Sequence, residues 1–322
     1  MWFYIILLAA SLILLIKGAD FLIDGATYIA EHFGIPPLII GLTIVAFGTS
    51  LPELSVNVFS ALSSQGGISF GNIFGSNIAN ILLILGVAAF INPFKVKSST
   101  MWKEIPFAIL ALFILFLMVN DSLFIQGRYN TLERNEGLIL LALFFVFLYY
   151  TFGVTKMEVK KTKKNIKVNK TKSALLIILG IIFLFIGGKY AVESATNLMF
   201  HLNISGEVIG LTVIALGTSL PELITSIVSI HKKNTDILIG NILGSNIFNI
   251  LFVLGITSLI SPVVYNASLN LDLIVALVSL YLLFVVLFTG KKARSIEKWE
   301  ALVLIICYGL YILSIFYRIG LP

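Results

Sequence analysis

Apolar residues run along this chain in long stretches separated by short polar breaks, and a membrane-spanning helix needs about 20 consecutive, mostly apolar residues. Ten such runs can be drawn, at 3 to 30, 37 to 62, 69 to 91, 102 to 120, 137 to 154, 173 to 200, 207 to 231, 238 to 260, 270 to 289 and 299 to 317. Numbered here as spans 1 to 10, they predict an all-α membrane protein of ten transmembrane helices. The first run is apolar to Ile16 and passes through Lys17 into polar helix, with no positive segment ahead of it. It reads as a membrane helix rather than a cleaved signal.

Composition agrees with this pattern. Charged residues make up 12% of the chain, about half the share in a soluble protein, and mean hydropathy is +1.03, so no soluble domain of any size fits beside the apolar part. Cys307 is the single cysteine, which excludes an intrachain disulfide and any Cys-based metal site. The net charge of +6 does not signal a nucleic-acid partner, because most of the chain has no aqueous basic face. Its origin is asymmetry across the membrane. Of the 22 Lys and Arg, 17 fall in loops on one side of the spans, eight of them from Lys156 to Lys172, whereas Arg128, Arg134 and Arg318 lie on the other and Lys17 and Lys189 lie within spans 1 and 6. Positive loops stay cytoplasmic. The expected protein is therefore a multi-pass cell (plasma) membrane protein with both termini outside and the loop between spans 5 and 6 inside.

Two blocks of sequence recur. Gly41-Leu-Thr-Ile-Val-Ala-Phe-Gly-Thr-Ser-Leu-Pro-Glu53 returns as Gly210-Leu-Thr-Val-Ile-Ala-Leu-Gly-Thr-Ser-Leu-Pro-Glu222, and Gly71-Asn-Ile-Phe-Gly-Ser-Asn-Ile-Ala-Asn80 as Gly240-Asn-Ile-Leu-Gly-Ser-Asn-Ile-Phe-Asn249. The offset is 169 both times, and 41–86 aligned without gaps on 210–255 gives 25 identities in 46 positions. Such self-similarity marks the duplication of a five-helix unit. Five is odd, so the second copy crosses in the opposite sense, the inverted repeat of secondary transporters. The expected organisation is a first repeat at 1–155, a Lys-rich cytoplasmic loop at 156–172 and a second repeat at 173–322.

Each copy places a carboxylate where ionisation is expensive, about 2.5–3.5 kcal/mol at the bilayer centre even on the insertion scale. Glu53 lies about 4.5 Å beyond the midpoint of span 2, near Ser50, at the helical rise of about 1.5 Å per residue, and inversion puts Glu222 a similar distance on the other side. The pair brackets the midplane and suits one central cation. The plainer reading is a Glu paired with a base or left protonated, but no Lys or Arg lies in the middle of spans 2, 3, 7 or 8. Pro52 and Pro221 precede these residues; each removes an N–H and clashes with the carbonyl four residues back, at Gly48 and Gly217. Hard cations take about 6–8 oxygen ligands, and each motif offers opened backbone, hydroxyls at Thr49 and Ser50 or Thr218 and Ser219, and a carboxylate.

Spans 3 and 8 add a polar stripe at every fourth residue, Asn72, Ser76 and Asn80, repeated as Asn241, Ser245 and Asn249. Asn80 and Asn249 fall at the span midpoints and suit ligation or ligand support, with interhelical hydrogen bonding the alternative; Asn77 and Asn246 suit either job. Gly71, Gly75, Gly240 and Gly244 are small-residue pairs that favour close helix packing. Lys17, Asp20 and Asp24, and Lys189 and Glu193, are spaced for pairing along one helix face, solvated near helix ends, with a gating role as the alternative. The lysine run is a solvated loop that enforces topology and can touch anionic lipid.

Gly-Thr-Ser-Leu-Pro-Glu followed by Gly-Asn-x-x-Gly-Ser-Asn, in two copies, resembles the alpha-repeats of the calcium/cation antiporter superfamily in its prokaryotic sodium/calcium exchanger form. The resemblance implies a central diamond of spans 2, 3, 7 and 8, with spans 1 and 6 sliding across it. It also implies cation ligands Thr49, Ser50, Glu53 and the Ala46 carbonyl, with Ser76 and Asn80, and from the second copy Thr218, Ser219, Glu222 and the Ala215 carbonyl, with Ser245 and Asn249. Well-known exchangers often have Asp where this chain has Asn249, so the site holds two acidic groups, enough to balance one Ca2+.

The expected function is secondary antiport of Na+ for Ca2+ by alternating access, with Ca2+ and Na+ as substrates, the lipid bilayer as surroundings, a monomeric transport unit and no cofactor. Ca2+/H+ exchange is the nearest alternative, since close carboxylates can share protons; K+-dependent exchange is another. A cation channel would use the same ligands, but an inverted repeat around one site is less natural for a pore. An intramembrane enzyme is disfavoured by the lack of His-Glu-x-x-His, of Gly-x-Gly-Asp and of a mid-membrane His to activate Ser50 or Ser219.

Overall fold

The computed structural model describes residues 2–62, 66–124, 129–158, 170–201, 215–290 and 293–319. Its helices are α1 (Trp2–Phe33), α2 (Pro37–Thr49), α3 (Leu51–Leu62), α4 (Ile68–Ile91) and α5 (Ser98–Val119), then α6 (Arg134–Glu158) and α7 (Lys170–His201). They continue as α8 (Ala215–Thr218), α9 (Leu220–His231), α10 (Thr235–Ile260) and α11 (Ala267–Thr289), and α12 (Lys298–Ile319). Among the described residues eight helices are long and apolar enough to cross a membrane, and the bent pair α2–α3 makes a ninth. The first part of span 7, 207–214, lies outside the described residues; α8 and α9 are its described remainder.

Apolar run and helix do not end together. Helices α1 and α7 are each 32 residues long, exceeding their predicted spans at both ends. The loop expected at 156–172 is also shorter, because α6 continues to Glu158 and α7 begins at Lys170. The chain departs from pure helix at two antiparallel ladders of two residues per strand: Phe94–Lys95 with Ser295–Ile296, and Thr131–Leu132 with Val263–Val264.

Burial sorts the helices into layers. The central window of α10 is 94% buried and that of α4 78%, against 28% for α1, α6, α7 and α12, so α4 and α10 form the interior and the others present apolar side chains outward. Two separate apolar clusters result. The larger joins residues of α4, α5, α6, α10, α11 and α12; the smaller joins Leu15, Ala19 and Leu22 of α1 to Ile177, Leu184 and Ala191 of α7, together with Ile40 and Val45 of α2 and Ile237 of α10.

Glycine sets two of the closest approaches. A Cβ on Gly180 would stand 2.6 Å from the Leu22 nitrogen, and one on Gly18 2.8 Å from the Leu184 nitrogen, so α1 and α7 meet backbone to backbone. In the core, a Cβ on Gly240 would collide with the Leu38 carbonyl and lie 2.9 Å from the Gly41 Cα, which brings α10 against α2. This is the packing role expected for Gly240 and Gly244, whereas a Cβ on Gly71 or Gly75 would meet nothing within 4 Å, so those two do not set a close approach.

Polar pairing corrects one expectation. Asp20 and Asp24 do not pair with Lys17 along α1; both carboxylates reach Lys232 just beyond α9, at 3.2 and 2.7 Å. Asn234 adds a bond to Thr27 at 3.2 Å. The far side of the molecule has its own tie, Arg318 bonded to both oxygens of Asp272 at 3.0 and 2.7 Å, with the Tyr311 hydroxyl donating to the same carboxylate at 2.9 Å.

Gly240→Ala is expected to destabilise the protein by about 1–3 kcal/mol, the usual cost of overpacking, and to lower its thermal midpoint in detergent. Gly309→Ala, where a Cβ meets nothing within 4 Å, should leave the midpoint unchanged or slightly raised.

Candidate cation site

The site is built by breaking helices. Ser50 lies between α2 and α3 with φ −86° and ψ 10°, in the sparsely used bridge region, and the two helices bend by 47° there. Ser219 repeats this between α8 and α9 with φ −87° and ψ 5°. Pro52 and Pro221 have no N–H to return to Gly48 and Gly217, so the local sequence encodes both breaks. Helices α4 and α10 are modified differently: each widens into a π-helical turn, at Ala79–Ile84 and Asn249–Val253. Such turns are frequent at functional positions, and here they hold Asn80 and Asn249.

These breaks and turns bring the two sequence blocks face to face. Glu53 and Glu222 are both completely buried. Glu53 Oε1 accepts from Ser76 at 3.2 Å and from Ser219 at 3.5 Å; Glu222 Oε1 accepts from the equivalent Ser245 at 3.3 Å and Ser50 at 3.0 Å. Thr49 donates to Asn241 Oδ1 at 3.0 Å and Thr218 to Asn72 Oδ1 at 3.3 Å. Asn80 Nδ2 donates to Asn246 Oδ1 at 2.9 Å, and Asn249 Nδ2 to Asn77 Oδ1 at 3.1 Å. Finally, the Asn77 and Asn246 amides each donate to the other's backbone carbonyl at 3.4 Å. Each of these contacts has a mate in which both numbers shift by 169; the Thr49 hydroxyl also meets that of Ser245 at 3.4 Å.

In this cluster four buried oxygens accept no hydrogen bond among the described residues: Glu53 Oε2, Glu222 Oε2, Asn80 Oδ1 and Asn249 Oδ1. Buried polar atoms are usually satisfied, and no salt bridge reaches either Glu among the described residues. Two carboxylate and two amide oxygens left over, ringed by hydroxyls of Thr49, Ser50, Ser76, Thr218, Ser219 and Ser245, are a donor set for a hard cation. The Ala46 carbonyl is already engaged, accepting from the Ser50 N–H at 3.0 Å and the Thr49 hydroxyl at 3.3 Å. Ala215 stands at the first position of α8. Spacing alone puts Asn72 and Asn241 on the polar stripe without revealing these partners; their signal is their place inside the repeated blocks.

The sequence profile described as sodium/calcium exchanger protein matches residues 3–153 and 172–317. The chain belongs to the sodium/calcium exchanger family. It is thus a transmembrane cation/Ca2+ antiporter, in a family of transporters rather than enzymes. Inner membrane protein YrbG of Escherichia coli is 36% identical over 287 residues, covering 84% of this chain and 86% of that protein. Sodium/calcium exchanger MaX1 of Methanosarcina acetivorans is 31% identical, covering 97% and 98%. The solved structure of the sodium-calcium exchanger NCX_Mj superposes with a TM-score of 0.81 at 30% identity, covering 97% of this chain and 98% of that one.

In this exchanger Asn77 and Asn246 knit α4 to α10. Asn77→Ala or Asn246→Ala should each cost about 1–3 kcal/mol, since each leaves buried partners unsatisfied, and the double substitution should cost less than the sum. Thermal unfolding of the four proteins in one detergent checks this.

Proposed function

We propose that this chain exchanges Na+ for Ca2+ across the cell membrane by alternating access, with the cation held between Glu53 and Glu222. One observation carries the reading: two completely buried carboxylates, each with an oxygen that accepts no protein hydrogen bond, face one another across a network of paired contacts. Burying an unpaired charge is strongly destabilising, so the pair demands positive charge, and one Ca2+ or two monovalent cations balance it. Competition between Ca2+ and Na+ for the same oxygens is the basis of exchange. Thr49, Ser50, Ser76 and Asn80, with Thr218, Ser219, Ser245, Asn249 and the Ala46 and Ala215 carbonyls, are the further ligands we assign.

The organisation that goes with this function is two five-helix repeats of opposite sense, 1–155 and 173–322, within one monomeric transport unit. The 169-residue offset that relates the paired contacts of the network supports it. Lysine-rich loops place 156–172 in the cytoplasm and both termini outside. Alternation requires the site to open to each face in turn, and only a difference in ligand affinity between the two states shifts the balance between them. Helices α1 and α7, with their own apolar cluster, are the elements we assign to that motion. Exchange of Ca2+ for H+ is the second reading, since the two close carboxylates can share protons.

Purified protein in vesicles loaded with Na+ is expected to take up radioactive Ca2+ on dilution into Na+-free buffer, and K+-loaded vesicles are not. Uptake driven instead by acid-loaded vesicles would replace the reading with Ca2+/H+ exchange. Glu53→Gln and Glu222→Gln should each reduce uptake to background while the thermal midpoint holds or rises, because a neutral amide is cheaper to bury than an unpaired charge. Near-normal uptake in either variant would overturn the assignment.

A further inference from the structure

Beyond the central pair, each carboxylate-bearing helix carries a second set of polar side chains. On α9, Thr225, Ser226 and Ser229 follow Glu222 at the third, fourth and seventh positions, and on α3 Asn57 follows Glu53 at the fourth. These spacings put each set on the face of its own carboxylate. All four residues are completely buried. Among the described residues none of the hydroxyls of Thr225, Ser226 and Ser229, and neither polar atom of the Asn57 amide, has a hydrogen-bond partner.

Helical hydroxyls in apolar surroundings normally bond back to the carbonyl four residues earlier. This protein follows the rule elsewhere: Thr43 bonds to Ile39 at 2.7 Å, Ser55 to Leu51 at 2.9 Å and Thr257 to Val253 at 2.6 Å. The α9 hydroxyls decline that bond three times in five residues. On either side of them Leu220, Ile224 and Val228 pack into the smaller apolar cluster and Leu223 into the larger, so the polar face lies where α9 passes between the two. It leads from Glu222 to the end of α9, where Lys232 meets Asp20 and Asp24. That mouth carries two carboxylates beside the consecutive Lys232 and Lys233.

We propose that Thr225, Ser226 and Ser229 form a transit site for a partly hydrated Na+ or Ca2+ between Glu222 and the Lys232 mouth, and that Asn57 is the corresponding station beside Glu53 toward the opposite face. Hydroxyl and amide oxygens replace part of the hydration shell before the ion meets the carboxylates. The inference rests on the exchange reading above and extends it to the route. It makes the two routes chemically unequal, three unpartnered hydroxyls on one side and, on the other, one amide with the partnered Ser60 hydroxyl beyond it.

Right-side-out and everted vesicles separate the faces. Thr225→Val with Ser226→Ala and Ser229→Ala is expected to raise the KM for Ca2+ about tenfold on the Lys232 face and to change it less than twofold on the other. Asn57→Leu should do the reverse, while Ca2+ binding to each detergent-solubilised variant stays within twofold of the parent. Equal effects on both faces, or none, would overturn the proposal. Should the triple variant fail to fold, Ser229→Cys in a Cys307→Ser background gives an answer that needs no transport. A small cationic thiol reagent should modify it from the Lys232 face only, more slowly with Ca2+ present, and absence of modification from that face overturns the transit site. Loss of Na+-driven uptake in the parent protein, with Ser229→Cys still modified, would instead fail the exchange reading and leave the route standing.

Discussion

Two carboxylates buried in an apolar interior, with no basic side chain against either, set the terms for the rest of this molecule. An arginine or lysine beside them would have settled their charge permanently, and a permanently settled charge leaves nothing for a soluble ion to do. The chain instead surrounds each Glu with hydroxyls that donate to one oxygen and leave the other free. Neutral donors soften the cost of burial without cancelling the charge. The polar cluster is therefore strong enough to hold its shape and still short of positive charge.

Holding that shape falls to pairs of contacts related by the repeat. Ser76 serves Glu53 as Ser245 serves Glu222, and the serine at each helix break reaches the carboxylate of the other copy. Neither half can complete its own site. The asparagines at 77, 80, 246 and 249 do the same between α4 and α10, exchanging bonds across the interface. Glycines at 41 and 240 allow the backbones to come close enough for this reciprocity, a case of sterics enabling polar chemistry. The membrane favours that arrangement, because packing and hydrogen bonds between helices must supply the association that water drives in soluble proteins.

Much of this was legible beforehand, and what was not has physical reasons. The two Glu, their prolines and the repeated blocks stand out because each breaks a local rule, a charge or a helix breaker within an apolar run. Helix lengths were underestimated at α1, α6 and α7 because a helix outlasts its apolar stretch when its ends are solvated. Spacing along α1 favours same-helix pairing or solvation of Asp20 and Asp24, because it reveals only same-helix neighbours; Lys232 lies more than two hundred residues away and is brought close by tertiary packing. Asn72 and Asn241 were placed on the right stripe without a partner, for the same reason. The π-helical turns at Asn80 and Asn249 carry no compositional mark, because they follow from packing on every side. The unpartnered face of α9 could have been suspected from Thr225, Ser226 and Ser229 in an apolar helix, though not that their usual backbone bonds would go unmade.

The division of the interior into two apolar clusters gives the molecule a grain. Cohesion is high inside each cluster, where shifting a side chain opens a void and forfeits close packing. Between them run α2 and α9, each contributing apolar side chains to both sides, and at that boundary lie Thr49, Ser50, Ser219 and Glu222 with their hydrogen bonds. A hydrogen bond can be exchanged for another of similar energy as groups slide past, whereas an apolar contact that opens has no substitute. A crystal cleaves along its weakest plane; under the exchange proposed above, this protein would yield where its polar residues lie, and its shape and its chemistry would change along the same surface.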